Sequence, residues 1–133
     1  MLIKAIKAEI SRYILRGEIM IKTEFGIIDI IDFKKEYKYE PERYNCVFID
    51  DDTYINDWWK RLSTMKTYFK CMDRPSIALD RWGITLIPPE SLATFQDIVI
   101  SDYRINSDVH LVELAKKIKE AMKNNKFMIH FGV

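Results

Sequence analysis

Apolar positions change their period several times along this chain, and each change marks an element. Leu2, Ile6, Ile10, Tyr13 and Ile14 recur at steps of four, four, three and one, with Lys4, Lys7, Glu9 and Arg12 elsewhere on the circumference. That is one face of an amphipathic helix, and Gly17 falls where a C-terminal cap belongs. From Ile19 the texture turns β-branched and aromatic, IMIKTEFGIIDIIDF, which predicts two strands around Glu24-Phe25-Gly26, with Asp29 and Asp32 limiting burial of the second. Lys34 to Arg43 is charged and contains Pro41, so it is an edge strand or a loop. Tyr44 to Ile49 is a compact apolar run bounded by charge, expected as an interior strand.

Ile55, Trp58, Leu62, Met65 and Phe69 step by three, four, three and four, predicting a helix over 54–69 with Asp52 or Thr53 as its cap. An irregular section, CMDRPSIALDRW, leads to GITLIPP, a short strand closed by two prolines. Pro88-Pro89-Glu90-Ser91 opens a further helix, because proline tolerates the first turn and an early acid complements the helix dipole; Leu92, Phe95, Ile98 and Val99 form its apolar side. The next helix is expected from Asn106 or Ser107 to about Lys123, stopped by Asn124-Asn125, and KFMIHFGV reads as a terminal strand paired in the sheet. Helices and strands do not alternate strictly. The expected class is therefore α+β, one domain over 1–133, with an antiparallel or mixed sheet against helices on one face.

Composition sharpens this without changing it. The 133 residues are 48% hydrophobic and 13% aromatic with four Gly and four Pro, which excludes disordered, collagenous and low-complexity classes. The N-terminal apolar residues are interrupted by charge, and no window approaches the length of a membrane span, so the expectation is a soluble cytoplasmic protein. Cys46 and Cys71 form no CxxC and are expected reduced and buried. Net charge is only +1, which disfavours a nucleic-acid partner. That balance conceals segregation. Between Glu24 and Asp57 lie ten acids and four bases, a net of −6, leaving +7 for the remainder.

Three constellations could carry chemistry. Asp50-Asp51-Asp52 ends an expected strand, where hard oxygen ligands can converge on magnesium, although the same residues suit a helix cap. Asp29 or Asp32 with Glu36-Tyr37-Lys38, after a helix containing Glu9, resembles the Asp…Glu-x-Lys arrangement of restriction-enzyme-like nucleases. Asp32 and Glu36 are only four residues apart, too few to turn a hairpin, although Asp29 or Glu18 could serve instead. His110 sits on an expected helix, and His130 alternates with Ile129 and Phe131, which could bring it to a face of the sheet. There is no GxSxG elbow or Gly-rich phosphate loop. Among the aromatics, adjacent Trp58 and Trp59 diverge by about 100° on a helix, so one of them should be only partly buried. Trp82 and Tyr54 are further candidates for exposure.

Two stretches, Trp82-Gly83-Ile84-Thr85-Leu86-Ile87-Pro88-Pro89-Glu90-Ser91-Leu92 and Asn125-Lys126-Phe127-Met128-Ile129-His130-Phe131-Gly132, resemble segments of small bacterial immunity proteins encoded beside polymorphic or contact-dependent toxins. The resemblance implies a non-catalytic inhibitor, without a cofactor, that binds a cognate toxin in the cytoplasm. The residues are compatible with this, since a carboxylate-rich surface can occupy a basic groove. The expected contact surface is Glu36, Tyr37, Tyr39, Glu40, Asp50, Asp51, Asp52, Tyr54, Asp57 and Trp58, facing a toxin with a basic surface. The rival expectation is a metal-dependent nuclease or phosphohydrolase using Asp29 or Asp32, Glu36 and Lys38.

Overall fold

The structure is a computed structural model, and it describes residues 20–133. The helix expected over 2–14, its Gly17 cap, Glu9 and Glu18 lie outside the described residues. In chain order the elements are β1 (Lys22–Ile27), β2 (Val47–Asp50), α1 (Asp51–Leu62), β3 (Lys66–Phe69), β4 (Pro75–Ile77), β5 (Ile84–Ile87), α2 (Pro89–Ile100), α3 (Val109–Lys123) and β6 (Met128–Phe131). Short 3-10 turns occupy Pro41–Arg43 and Tyr103–Asn106. The strands form one sheet in the order β2-β1-β6-β5-β3-β4, and every pairing is antiparallel. The class is α+β, as the patterning predicts.

The sheet has two covered faces. Toward the helices it packs Phe25, Ile49, Ile87 and Met128 against Ile55, Trp58 and Leu62 of α1, Leu92 and Phe95 of α2, and Leu114 and Ile118 of α3. On the opposite face Ile84, Leu86, Ile129 and Phe131 meet Ile28 and Tyr37, with Tyr39, Tyr44 and Cys46 around them. The charged stretch after β1 is thus a loop that lies across the second face. With both sides covered, every residue of β5 and β6 is buried, Thr85 and His130 included.

Several expectations are corrected. The predicted pair of strands around Glu24-Phe25-Gly26 is a single strand, because these residues pair continuously with β2 and β6. Gly26 sits there because a Cβ would approach Tyr44 Cβ at 2.7 Å and Cys46 Sγ at 2.9 Å. The run Tyr44–Ile49 forms an edge strand, not an interior one; Asn45, with φ 49°, turns the chain before pairing begins at Val47. The helix expected over 54–69 spans 51–62. Ser63 Oγ donates to Trp59 O at 2.8 Å and Thr64 Oγ1 to Arg61 O at 2.7 Å, closing the last turn before the β-prone Thr67-Tyr68-Phe69. Asp50, not Asp52 or Thr53, holds the N-cap position. Cys46 and Cys71 are not bridged to each other, and each is only partly buried, not buried as expected.

Candidate functional site

The acids of the segment 24–57 do not stand as an open negative field. Asp29 pairs with Lys126, Glu36 with Lys70 at 3.3 Å, Asp51 with Arg81 at 2.5 Å and Asp57 with Arg104 at 3.1 Å. All four cations come from the part of the chain that carries +7, so folding brings the two halves of the charge split together. Glu40 pairs locally with Arg43 at 3.1 Å. Asp50 accepts from Thr53 Oγ1 and from Ile21 N, the latter at 3.3 Å. Asp52 is exposed at the start of α1.

The expected contact aromatics are mostly interior. Tyr37 lies in the second core and donates its own N–H to Lys70 O at 2.8 Å, while its hydroxyl accepts from Asp32 N at 3.0 Å. Trp58 and Tyr54 are each 4% exposed. Trp58 Nε1 donates to Asp102 Oδ2, and Tyr54 Oη donates to Asp108 Oδ2. Burial, then Asp108, pushes the Tyr54 hydroxyl's pKa up; burial, then Glu24, does the same at half-buried Tyr39. Asp51 is buried too, and desolvation raises its carboxyl's pKa against the opposing pull of Arg81, with Oδ1 lacking a hydrogen-bond partner. Tyr37, Asp51, Tyr54 and Trp58 therefore act as internal ties. Glu36, Asp52 and Asp57 remain at the surface.

Both histidines pack against neighbouring side chains. His130 faces the helix side of the sheet, fully buried, with Nε2 at 2.6 Å from Thr23 Oγ1 and Nδ1 at 3.2 Å from Thr85 Oγ1, bridging β1, β6 and β5. His110 stacks on Phe48 with centroids 4.5 Å apart. Asp29, Asp32, Glu36 and Lys38 form no common centre: Asp29 is held by Lys126, Glu36 by Lys70, and Asp32 Oδ1 accepts from Lys34 N at 2.9 Å within its own turn. Among the described residues no three His, Cys, Asp or Glu side chains are grouped to share a metal ion.

A different surface has the composition of an interaction site. At the end of the sheet beside β4, Trp82 is 73% exposed, and Ile77 and Trp59 are exposed as well. A hollow of about 450 Å³ lies among Trp59, Ser63, Ile77, Leu79, Arg81 and Trp82. On the other side of Trp82 a groove of about 660 Å³ is lined by Lys38, Tyr39, Lys70, Arg74, Trp82 and Ile84, among others. Exposed tryptophan beside arginine is the residue chemistry of binding hot spots.

The turn carrying Trp82 is held from several directions. Gly83 N donates to Asp80 O at 3.1 Å and Trp82 N to Asp80 Oδ1 at 3.2 Å, while Asp80 N donates to Thr85 Oγ1 at 2.8 Å. The last two residues clamp it from the side, Gly132 N donating to Gly83 O at 2.8 Å and Val133 N to Arg81 O at 2.7 Å. Arg81 reaches α1 through Asp51 and Asn56, and its guanidinium lies 6.0 Å from the Trp59 ring centre. Such a turn presents its indole at little ordering cost on binding.

The neighbouring edge does not invite an added strand. Phe69 N donates to Arg74 O and Ala78 N to Met65 O, so the two-residue period of the β3–β4 ladder turns the backbones of Pro75 and Ile77 outward. Pro75 has no N–H to offer there. The sequence signal for this end of the sheet was modest but present: a tryptophan in an Asp-Arg-Trp-Gly turn, and a second in the adjacent pair Trp58-Trp59.

No family model matches the chain, and no curated protein or solved structure matches it significantly. Among the described residues no helix is long and apolar enough to cross a membrane.

Proposed function

We propose that this chain is a non-catalytic binding protein of the immunity kind, which neutralises a cognate toxin through the surface around Trp82. One observation carries the reading. The two segments that resemble immunity proteins, some forty positions apart in sequence, are adjacent strands: Ile84 pairs with Phe131, Thr85 with His130, Leu86 with Ile129 and Ile87 with Met128. At one end of this pair the Trp82-Gly83 turn is clamped by Gly132 and Val133. The resembling residues thus build one unit, a rigid central hairpin-like pair that ends in an exposed indole. The internal pairing of Asp29, Glu36, Asp51 and Asp57 draws down the acidic field expected of the segment 24–57, so the aromatic part of the expected surface supports the reading and the acidic part supports it less.

Co-expression with the toxin domain encoded beside this chain's gene tests the proposal. Growth should be restored by the full chain, and purified toxin and chain should co-elute as a complex. A toxin that remains fully active in the presence of excess folded chain would overturn it.

A further inference from the structure

The groove beside Trp82 has a charge balance that its composition alone hides. Its walls include Glu36 and Asp80 as well as Lys38, Lys70 and Arg74. Glu36 pairs with Lys70, whereas Asp80 Oδ1 accepts the neutral Trp82 N–H and keeps its charge. Lys38 and Arg74, both exposed, have no carboxylate partner among the described residues. With Lys70 matched to Glu36, Lys38 and Arg74 outnumber Asp80, so the groove is net cationic beside the ring of Trp82 and the half-buried Tyr39 and Phe69.

We infer that this groove receives an acidic segment of the protein partner, whose carboxylates seat on Lys38 and Arg74 while an apolar side chain lies against Trp82. The inference deepens the binding reading above and rests on it only for the identity of the partner. Charge complementarity carries it: Lys38 and Arg74, with no carboxylate partner among the described residues, outnumber Asp80 in the groove, which favours isolated carboxylates. A nucleic-acid strand fits less well, since two cations in the groove and a chain net charge of only +1 give little to hold a long run of regularly repeated phosphates. The partner's polarity is then opposite to the basic toxin surface expected from the acids of 24–57. Lys70, Arg81, Arg104 and Lys126 contribute to that reversal by pairing with four of those ten acids.

The test needs no knowledge of the toxin. The full chain is titrated with hexaglutamate, hexalysine and hexathymidylate at about 10 mM salt, where exposed charges are least screened, and binding is followed by the indole N–H resonance of Trp82. Hexaglutamate should give a saturable shift, at least about tenfold weaker in the Lys38→Glu/Arg74→Glu variant and weakened again at about 0.5 M salt, with hexalysine giving none. Lys38→Gln/Arg74→Gln, with circular dichroism as the fold control, provides the same comparison if charge reversal impairs folding. Absence of a hexaglutamate shift, a shift indifferent to both variants, or tighter binding of hexathymidylate or hexalysine overturns the inference. Toxin protection is a separate readout: a chain that binds hexaglutamate at Lys38 and Arg74 yet protects against nothing overturns the immunity reading alone.

Discussion

Trp58 donates its indole N–H to Asp102 Oδ2 at 2.8 Å, tying the middle of α1 to the turn between α2 and α3. The same carboxylate takes Arg104 in bidentate fashion, Nε to Oδ1 at 2.9 Å and Nη2 to Oδ2 at 2.7 Å, and Arg104 in turn covers the Tyr54 ring at 4.6 Å and reaches Asp57. Asp102 has a side chain only 6% exposed, so its charge is justified by these partners. Asp102→Ala should cost about 3 kcal/mol, because it strands a buried indole N–H and leaves Arg104 with Asp57 alone. Trp58→Phe, which removes the donor and keeps a ring, should lose about half of that. Urea unfolding of the three proteins checks the order.

The same network sets an acid limit. The Arg104 guanidinium, aided by the Arg104 and Trp58 N–H groups, holds Asp102 down at about 2 against an ordinary 3.8. The folded state therefore binds this proton less readily than the unfolded chain. Its contribution is complete above the ordinary carboxylate range and is lost as pH falls through it toward about 2, on the order of 2 kcal/mol in all. Asp51 has the opposite sign, since burial raises its pKa, and it offsets part of that loss. Stability measured from pH 6 to pH 2 should fall less steeply in Asp102→Asn than in the parent; parallel curves would show that Asp102 is not the titrating tie.

Two glycines near Trp82 should respond differently to a methyl group. A Cβ on Gly132 would overlap the backbone carbonyl of Arg81 and approach Asp80 O at 2.8 Å, and backbone cannot step aside cheaply. A Cβ on Gly83 would meet the Asp80 carboxylate, which can rotate away at the loss of its bond to Trp82 N. Gly132→Ala is expected to cost about 3 kcal/mol and Gly83→Ala about 1 kcal/mol. Thermal unfolding of the pair distinguishes them.

Thr85 serves two groups at once, accepting from Asp80 N and lying against His130 Nδ1. Thr85→Val keeps the shape and removes the oxygen, so it should cost about 2 kcal/mol and speed amide exchange at Asp80, while Thr85→Ser should recover most of both. Equal stability of the Val and Ser variants would mean that the hydroxyl does no more than fill space.

Much of this fold is legible where local residue chemistry sets the element. ITLI and MIHF announce strands through their β-prone residues, though not their central place in the sheet, and Pro88-Pro89-Glu90 and Asn124-Asn125 mark helix ends through local chemistry that needs no tertiary partner. The end of α1 was not legible from spacing, since Met65 and Phe69 continue a helical step while the hydroxyls of Ser63 and Thr64 close the helix. The candidate site was harder still. Charge counting sees Asp29 and Asp51 but not Lys126 and Arg81, which lie 97 and 30 positions away and neutralise them. Tyr37, Tyr54 and Trp58 sit among acids in the sequence and inside the protein in space, because a hydroxyl or indole N–H with a partner can be buried as readily as phenylalanine.

Trp58 and Trp82 therefore offer a contrast that separates binding from folding. Trp58 fills the interface between α1 and the sheet, and Trp58→Ala should cost about 4 kcal/mol through the cavity and the orphaned Asp102. Trp82 is held by its backbone, through Asp80, Gly83 and the clamp of Gly132, while most of its indole lies in solvent. Trp82→Ala should leave the unfolding midpoint within about 0.5 kcal/mol of the parent, as exposed substitutions do. On the proposed function, complex formation with a cognate toxin should nevertheless weaken by about thirtyfold or more, the loss of a central hot spot of about 2 kcal/mol. Calorimetric titration alongside urea unfolding makes the comparison direct: a Trp82→Ala protein that is stable and still binds at full strength would remove this surface from the interface.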